Sequence, residues 1–136
     1  MNAPSKDIAT MLEADSSLGL FHTIVGNQVR NLFVGMEVST PKNIVTVFDT
    51  PGFPDQLTMG KEKYEYPSIQ IRVRNISYED AYIIAENIKD SLHGRAHETC
   101  NGSYYSVIKC SSGPALLDRD DSGNYRFIIN FNLQRR

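Results

Sequence analysis

The sequence predicts an α+β fold, with a mainly antiparallel or mixed sheet and two helices packed on one face. Residues 68–75 and 125–133 alternate apolar and polar side chains, the period of a strand with one buried face. Residues 81–92 instead repeat apolar side chains at the spacing of a helix. At 136 residues, 40% of them hydrophobic, the chain has the size of a single domain, 1–136, with a core of its own.

The first 48 residues predict one helix and two or three strands. Ser5 is expected to cap a helix over 6–14, in which Ile8, Met11 and Leu12 form the buried edge. Residues 1–4 are predicted to be disordered. The apolar segments 20–25 and 31–34 indicate either two short strands or one interrupted strand, and 44–48 indicates a clear strand.

A second helix follows the alternating strand directly. Ser77 is predicted as its N-cap, because a carboxylate, Asp80, follows three residues later in the first turn. Gly94 is predicted to end the helix. Its apolar stripe consists of Ala81, Ile84, Ala85, Ile88 and Leu92.

Residues 49–66 break every period and contain two prolines and two glycines. We predict a long loop or a protruding hairpin, and connections of this length in a small domain are usually functional or disordered. Phe53, Leu57 and Met59 make the segment more apolar than a solvated tether. A contact with a partner is therefore the favoured interpretation, and packing on the chain's own domain is the alternative.

The last third predicts two more strands, at 104–110 and 125–133, with a turn at 111–114, a brief apolar run at 115–117, a polar turn at 118–124 and a charged tail at 134–136. The polar face of the sheet carries Arg72, Arg74 and Arg126. Such a face is either solvated, which is the usual case for an antiparallel sheet, or meets another subunit.

Charge and hydropathy exclude several classes of protein. The net charge of −2 does not suggest a nucleic-acid binder, although a local basic face is compatible with it. No apolar run reaches the roughly 20 residues that span a bilayer, and the first residues lack the apolar region of a signal peptide. We therefore expect no membrane partner and free thiols at Cys100 and Cys110.

Two stretches of the sequence resemble metal-binding motifs only in part. His93, His97 and Glu98 surround the expected end of the second helix, so a loop with surface histidines is favoured over metal ligands. Residues 118–123 match the first half of a calcium loop, but its twelfth position is Ile129 instead of a glutamate. No phosphate loop or nucleophile motif is present. The sequence predicts no enzyme and no catalytic, cofactor or metal site.

Six stretches taken together resemble the minor capsid or tail-terminator proteins of long-tailed bacteriophages. No single stretch is diagnostic, and the resemblance lies in the ordered set, which extends from about residue 7 to the end of the sequence. The stretches are NIVTVFDTPG (43–52), YPSIQIRVR (66–74), IKDSLHG (88–94), YY (104–105), GPALLD (113–118) and RFIINF (126–131).

The resemblance implies a structural virion subunit without cofactor or catalytic activity. Such subunits form a ring, typically a hexamer, at the head-proximal end of the tail, where the ring stops growth of the tail tube and offers a surface to the head–tail connector. The expected partners are therefore further copies of the chain, the tail tube protein and connector or neck proteins, with DNA only as passing cargo. Assembly is expected in the host bacterial cytoplasm. A head-completion or neck adaptor is the nearest alternative function, and a small bacterial enzyme or ligand-binding domain is a more distant one.

Two sets of residues are candidates for contacts in such a ring. A head-to-tail ring needs two different complementary patches on each subunit, and segment 49–66 and the arginine-bearing face are the candidate patches. The acidic turn with Asp118, Asp120 and Asp121 is a candidate lining of the lumen, where like charge would keep passing DNA from binding. Solvation of exposed charge is the alternative interpretation of this turn.

Overall fold

The computed structural model describes residues 2–22, 30–39, 41–57 and 63–136, and gives only the backbone of 53–57 and 63–64. Helices and strands are both present, and this confirms the predicted α+β class. In chain order the elements are α1 (Pro4–Ala14), a 3-10 turn (Ser16–Leu18), β1 (Leu32–Val34), β2 (Ile44–Leu57), β3 (Lys63–Asn75), α2 (Tyr78–Leu92), β4 (Ala96–Cys100), β5 (Ser103–Arg119) and β6 (Tyr125–Arg135).

The described strands form one mixed sheet in the order β1-β2-β3-β6-β5-β4. β1 runs parallel to β2, and every other neighbouring pair is antiparallel. The mixed sheet among the predicted alternatives is therefore confirmed. That both helices pack on one face of the sheet stays a prediction.

The core forms where the alternating side chains of the sheet meet the helices. Ile69, Ile71 and Val73 of β3 are fully buried, as the period of two predicts. One buried cluster joins them to side chains of β6 and of both helices. Each buried Val, Leu, Ile or Phe side chain contributes about 1.5–3 kcal/mol when removed from water, and each alanine contributes less. The contributions from β6, α1 and α2 include Phe127, Ile129, Phe131, Ile8, Leu12, Ala81, Ala85, Ile88 and Leu92.

The second helix begins as predicted. The Ser77 hydroxyl accepts a hydrogen bond from the backbone N–H of Asp80, at 3.4 Å. The carboxylates of Glu79 and Asp80 lie in the first turn, where the free N–H groups of a helix favour negative charge. After Leu92 the chain leaves the helix, and Gly94 adopts a positive φ of 87°, which an L-residue with a side chain rarely takes.

The predicted N-cap of the first helix is wrong. α1 begins at Pro4, and no side chain caps it at Ala3. A proline suits the first helical position because its missing N–H has no partner there. Ser5 instead lies inside the helix, where its hydroxyl donates to Asp49 Oδ2 at 2.6 Å and its backbone N–H donates to Asp49 Oδ1 at 3.0 Å. These two bonds tie α1 to β2.

Several further predictions are corrected in the last third of the chain. The predicted turn at 111–114, the short run at 115–117 and the first two residues of the predicted polar turn at 118–124 are all part of β5. Gly113, with a φ of 91°, lies at a register shift between the pairs that Ser112 and Ala115 make with β6, so the strand bends without ending. β4 was not predicted, because its sequence AHETC is short and shows no apolar alternation. The predicted charged tail also continues β6 as far as Arg135, which is 8% exposed.

Two other segments differ in part from the prediction. Of the apolar segments near the first helix, Leu32–Val34 is strand β1, residues 20–22 are not strand, and 23–25 lie outside the described residues. In segment 49–66 the described residues belong to β2 and β3, which pair antiparallel with register shifts after Thr50 and after Phe53. They fit the hairpin better than the irregular loop, and residues 58–62 lie outside the described part.

Candidate assembly interface

Two of the three arginines of the predicted polar face, Arg74 and Arg126, form an ion-pair network inside the subunit. Arg74 of β3 and Arg126 of β6 lie directly opposite each other in the strand register. Both guanidinium groups bind the same oxygen, Glu37 Oε1, at 3.3 Å and 3.1 Å. One carboxylate thus offsets the repulsion between two cations on neighbouring strands.

Arg74 fixes the segment that follows β1. It is 6% exposed, and its guanidinium donates to the backbone carbonyls of Val38, Pro41 and Lys42. We call residues 35–39 with 41–42 the strap. A buried guanidinium is stabilised only when its donors are satisfied, so Arg74 holds the strap in one position against the sheet. The positive charge of Arg74 is therefore balanced by Glu37 within the subunit.

Arg126 joins the network to the acidic turn. Its Nε and Nη2 donate to the two carboxylate oxygens of Asp118, each at 2.6 Å, in the fork-to-fork geometry of a strong pair. These hydrogen bonds, and then the charges of Arg126 and Arg72, hold the pKa of Asp118 below its usual range. The sequence prediction treated the arginines and the acidic turn as separate sites, but Arg126 and Asp118 form one pair.

The rest of the acidic turn is divided between internal bonding and solvent. Asp120 Oδ1 accepts from the backbone N–H groups of Ser122 and Asn124, and its Oδ2 accepts from the Asn124 side chain. Asp121 is exposed. Asp120 therefore shapes the turn, and Asp121 is the most available of the three predicted lumen residues.

The Asp118–Arg126 pair predicts a small acid-sensitive contribution to stability. A carboxyl whose pKa is lowered by folding stabilises the native state above its unfolded pKa of about 3.9, and this contribution disappears as the pH falls through the folded value. Because Asp118 is 43% exposed, we expect Asp118→Asn to reduce the free energy of unfolding at pH 7 by at most about 1 kcal/mol. Urea titrations of both proteins should converge below about pH 4. A constant difference down to pH 2.5 would contradict the assignment.

Arg72 lies in a mostly uncharged part of the same face. Its guanidinium carbon is 4.9 Å from the centre of the Phe48 ring, and its Nε donates to Gln70 at 2.9 Å. Side-chain bonds continue from β3 to β6, from Gln70 to Asn130 at 3.2 Å and from Ser68 to Asn132 at 2.8 Å. Of the three predicted arginines, Arg72 is thus the one that the described residues leave without a carboxylate partner.

The three predicted apolar contact residues cannot be placed at the same level of detail. Phe53 and Leu57 belong to β2, of which only the backbone is described at these positions, and Met59 lies outside the described residues. Their role in a contact stays a prediction.

The structure shows an apolar groove on α2 that the sequence pattern did not predict. Tyr78, Tyr82 and Ile83 are 48%, 43% and 53% exposed, and together with Glu79 they line a groove of about 290 Å³. The two tyrosine rings pack edge-on against Phe127, at centroid distances of 5.2 and 5.9 Å, which fixes the positions of both rings. The signal was present in the sequence, because these aromatic residues lie four apart and off the buried stripe of the helix.

The histidines that resembled metal ligands in the sequence have local structural roles instead. His93 Nδ1 accepts from the backbone N–H of Cys110, and His97 Nδ1 lies 2.6 Å from the Tyr104 hydroxyl. Within the described residues, no three His, Cys, Asp or Glu side chains are grouped as metal ligands, and Cys100 and Cys110 are free as predicted. Nor does the described part of the chain hold a helix long and apolar enough to cross a membrane.

Comparison with known proteins decides the family. A family of sequences described as "Bacteriophage tail terminator protein" matches residues 9–136. The chain belongs to the bacteriophage tail terminator family. The family match includes the strap, the acidic turn and the groove, all of which lie after residue 9. The resemblance to tail-terminator proteins inferred from the ordered stretches is therefore confirmed.

A solved structure shares the fold of this tail terminator family member. It belongs to a "Virion of native gene transfer agent (GTA) particle", with a TM-score of 0.70 and 14% identity. The alignment covers 98% of this chain and 94% of the other. No curated protein sequence matches the chain. Together the comparisons indicate a structural, tail-related component of a phage-like virion.

Proposed function

We propose that this chain is the terminator subunit that forms a ring on the tail tube, stops its polymerisation and provides the surface that joins the tail to the head. The observation that carries the proposal is the family match over residues 9–136. The proposed partners are further copies of the chain, with a hexamer as the expected ring, the tail tube protein and the connector or neck proteins. The proposed place is the head-proximal end of the tail, with assembly in the host bacterial cytoplasm.

The described surface supports an assembly role better than catalysis. The charged clusters around Arg74 and Arg126 are bonded within the subunit, whereas apolar side chains such as Met36, Ile76 and Ile83 are 66%, 59% and 53% exposed. Single exposed apolar side chains are common on protein surfaces, but adjacent ones such as Tyr78, Tyr82 and Ile83 on α2 are typical of surfaces that other proteins cover. We propose accordingly that the protein has no enzymatic activity, and that Arg72 and the β2–β3 segment 49–66 contribute to contacts in the virion.

DNA is proposed to pass the ring as cargo without being bound. The acidic turn remains the proposed lumen element, although Asp118 is neutralised by Arg126 and Asp120 is bonded within the turn. The bonds to Asp120 come from neutral groups and leave its charge in place, so repulsion of DNA depends on Asp120 and Asp121. Replacement of all three aspartates by asparagine, with unchanged assembly and unchanged DNA delivery, would remove this part of the proposal.

Deletion of the gene tests the main proposal. We expect a phage without this protein to produce overlong, unattached tail tubes beside full heads, because the tube would no longer be terminated. Negative-stain microscopy of the lysate measures the distribution of tube lengths. A plasmid copy of the wild-type gene should restore normal tails and serves as the control.

The same images separate the alternative function. Tails of normal length beside separate heads would contradict termination and would identify the protein as a joining or neck adaptor. Normal virions without the protein would contradict both functions.

A further inference from the structure

The strap presents one apolar side chain to solvent from a rigid base. Met36, which we call the knob, is 66% exposed, and it lies next to Glu37, which binds both Arg74 and Arg126. The chain before Met36 is also fixed, since the N–H of Gly35 donates to the Val47 carbonyl at 2.8 Å. The position of the Met36 backbone is therefore set before any partner arrives, which reduces the entropy lost on binding.

The groove on α2 has the shape and chemistry to accept such a side chain. Its walls are the rings of Tyr78 and Tyr82 and the aliphatic side chain of Ile83. A methionine sulfur makes favourable contacts with aromatic rings, and its unbranched side chain adapts to shallow grooves. Exposed Lys42 on the strap and exposed Glu79 beside the groove form one pair of opposite charges, although Lys42 shares its part of the surface with Asp120 and Asp121.

The knob and the groove lie on opposite faces of the sheet. Glu37, beside Met36, binds Arg74 and Arg126, whereas Tyr78 and Tyr82 pack on Phe127. Arg126 and Phe127 are consecutive residues of β6, so their side chains point to opposite faces. A contact that uses both features therefore joins two copies head to tail, and each copy keeps one free knob and one free groove.

We infer that Met36 of one copy inserts into the Tyr78–Tyr82–Ile83 groove of a second copy, and that this is a repeating contact of the ring. The inference depends on the proposed ring, and it specifies which two patches meet. Its occupant is a further copy of this chain, because the complementary knob is on the chain itself and because a head-to-tail contact is the kind that closes into a ring.

A cysteine pair tests the contact directly. Met36→Cys and Ile83→Cys are combined in a Cys100→Ser, Cys110→Ser background, and the protein is supplied to the deletion phage. After oxidation of purified particles, we expect a ladder of bands above the dimer on non-reducing gels, because each copy carries both halves of the contact. Each single-cysteine variant should give no ladder. Particles that contain the double variant but show no ladder would overturn the inference.

Charge substitutions test how much the contact between Met36 and the groove contributes to assembly. We expect Met36→Glu and Ile83→Glu each to lower complementation of the deletion phage by about tenfold or more, because each would bury an unpaired carboxylate. When the two variants are supplied together, we still expect complementation to fail. In a ring that contains both variants, some contacts lack the knob or the groove, so the ring is interrupted there. Val107→Glu, which replaces an exposed apolar side chain on β5, is the matched control and should complement fully.

The two proposals fail in different ways. Overlong tubes in the deletion phage together with an absent ladder would preserve the terminator function and remove this contact. Normal-length tubes with a clear ladder would preserve the contact and remove the terminator function. Full complementation by Met36→Glu, with the variant shown to be folded by its thermal melt, would overturn the inference independently of cross-linking.

Discussion

Replacement of Arg135 by methionine is expected to lower the free energy of unfolding by about 3–5 kcal/mol, because it removes one partner from a buried ionic network. The guanidinium donates to Glu65 Oε2 at 2.6 and 2.9 Å and to the Asn2 carbonyl at 2.8 Å. Its Nη1 also lies 3.9 Å from Asp7 Oδ2, and Asp7 is fully buried. Methionine keeps most of the apolar stem but removes the positive charge beside the buried Asp7 carboxylate and two hydrogen bonds to Glu65.

A second buried group makes the loss larger than a surface ion pair would cause. Tyr105, which is fully buried, donates its hydroxyl proton to Asp7. Burial, followed by the bond to Asp7, raises the pKa of Tyr105, so its hydroxyl remains a donor at neutral pH and does not replace the lost positive charge. The network joins α1, β3, β5 and β6, and its failure would loosen all four elements.

Urea denaturation monitored by far-UV circular dichroism measures the effect. Arg72→Met is the control, since it removes an arginine from the same sheet at a position with a neutral hydrogen-bond partner, and we expect it to cost about 1 kcal/mol or less. A double variant with Asp7→Asn should cost less than the sum of its single changes, because the residues act as one unit. A loss below 1 kcal/mol for Arg135→Met would show that the network contributes little.

Gly113→Ala should destabilise the protein by about 3 kcal/mol. Gly113 has a φ of 91°, a conformation that an alanine adopts only under strain. A Cβ atom at this position would lie 2.5 Å from the carbonyl oxygen of Ile128 in β6, much closer than van der Waals contact. Since β5 pairs with β6 on both sides of Gly113, relief of this clash would separate paired strands.

Gly102→Ala provides a matched control that isolates the clash. Gly102 has a similar φ of 83°, but a Cβ atom added there would meet no other atom within 4 Å. We therefore expect only the conformational cost, about 1 kcal/mol. The difference between the two thermal-unfolding midpoints measures the contact with Ile128. Equal losses would mean that β6 shifts aside at little cost.

The sequence predicted the parts of the fold that depend on periodicity. The alternation in β3 and β6 and the stripe of α2 follow from burial on one side, and a local rule also identified the Ser77 cap correctly. Interactions between distant residues were not predictable in this way. Ser5 bonds to Asp49 instead of capping its own helix, and β5 passes through a glycine and a proline because β6 pairs with it on both sides of the bend.

The candidate site was predicted less completely than the fold. Arg74 and Arg126 were assigned to the correct face, but their shared partner Glu37 comes from a segment far away in the sequence and has no pattern that marks it. The groove on α2 escaped notice because a search for the buried side of a helix discards the exposed aromatic residues. The spacing of Tyr78 and Tyr82 can be seen in the sequence, whereas their packing on Phe127 is seen only in the structure.

The position of β6 inside the sheet has a consequence for synthesis on the ribosome. β3 cannot complete its pairing until β6 is present, because Ile69 pairs with Phe131, about 60 residues later in the chain. Until β6 leaves the exit tunnel, β3 presents an open edge and an apolar face, so the nascent chain depends on shielding from aggregation. Folding of the sheet is thereby postponed until β6 has been synthesised. Prematurely terminated chains should never present a folded surface to an assembling particle, which protects assembly from defective subunits.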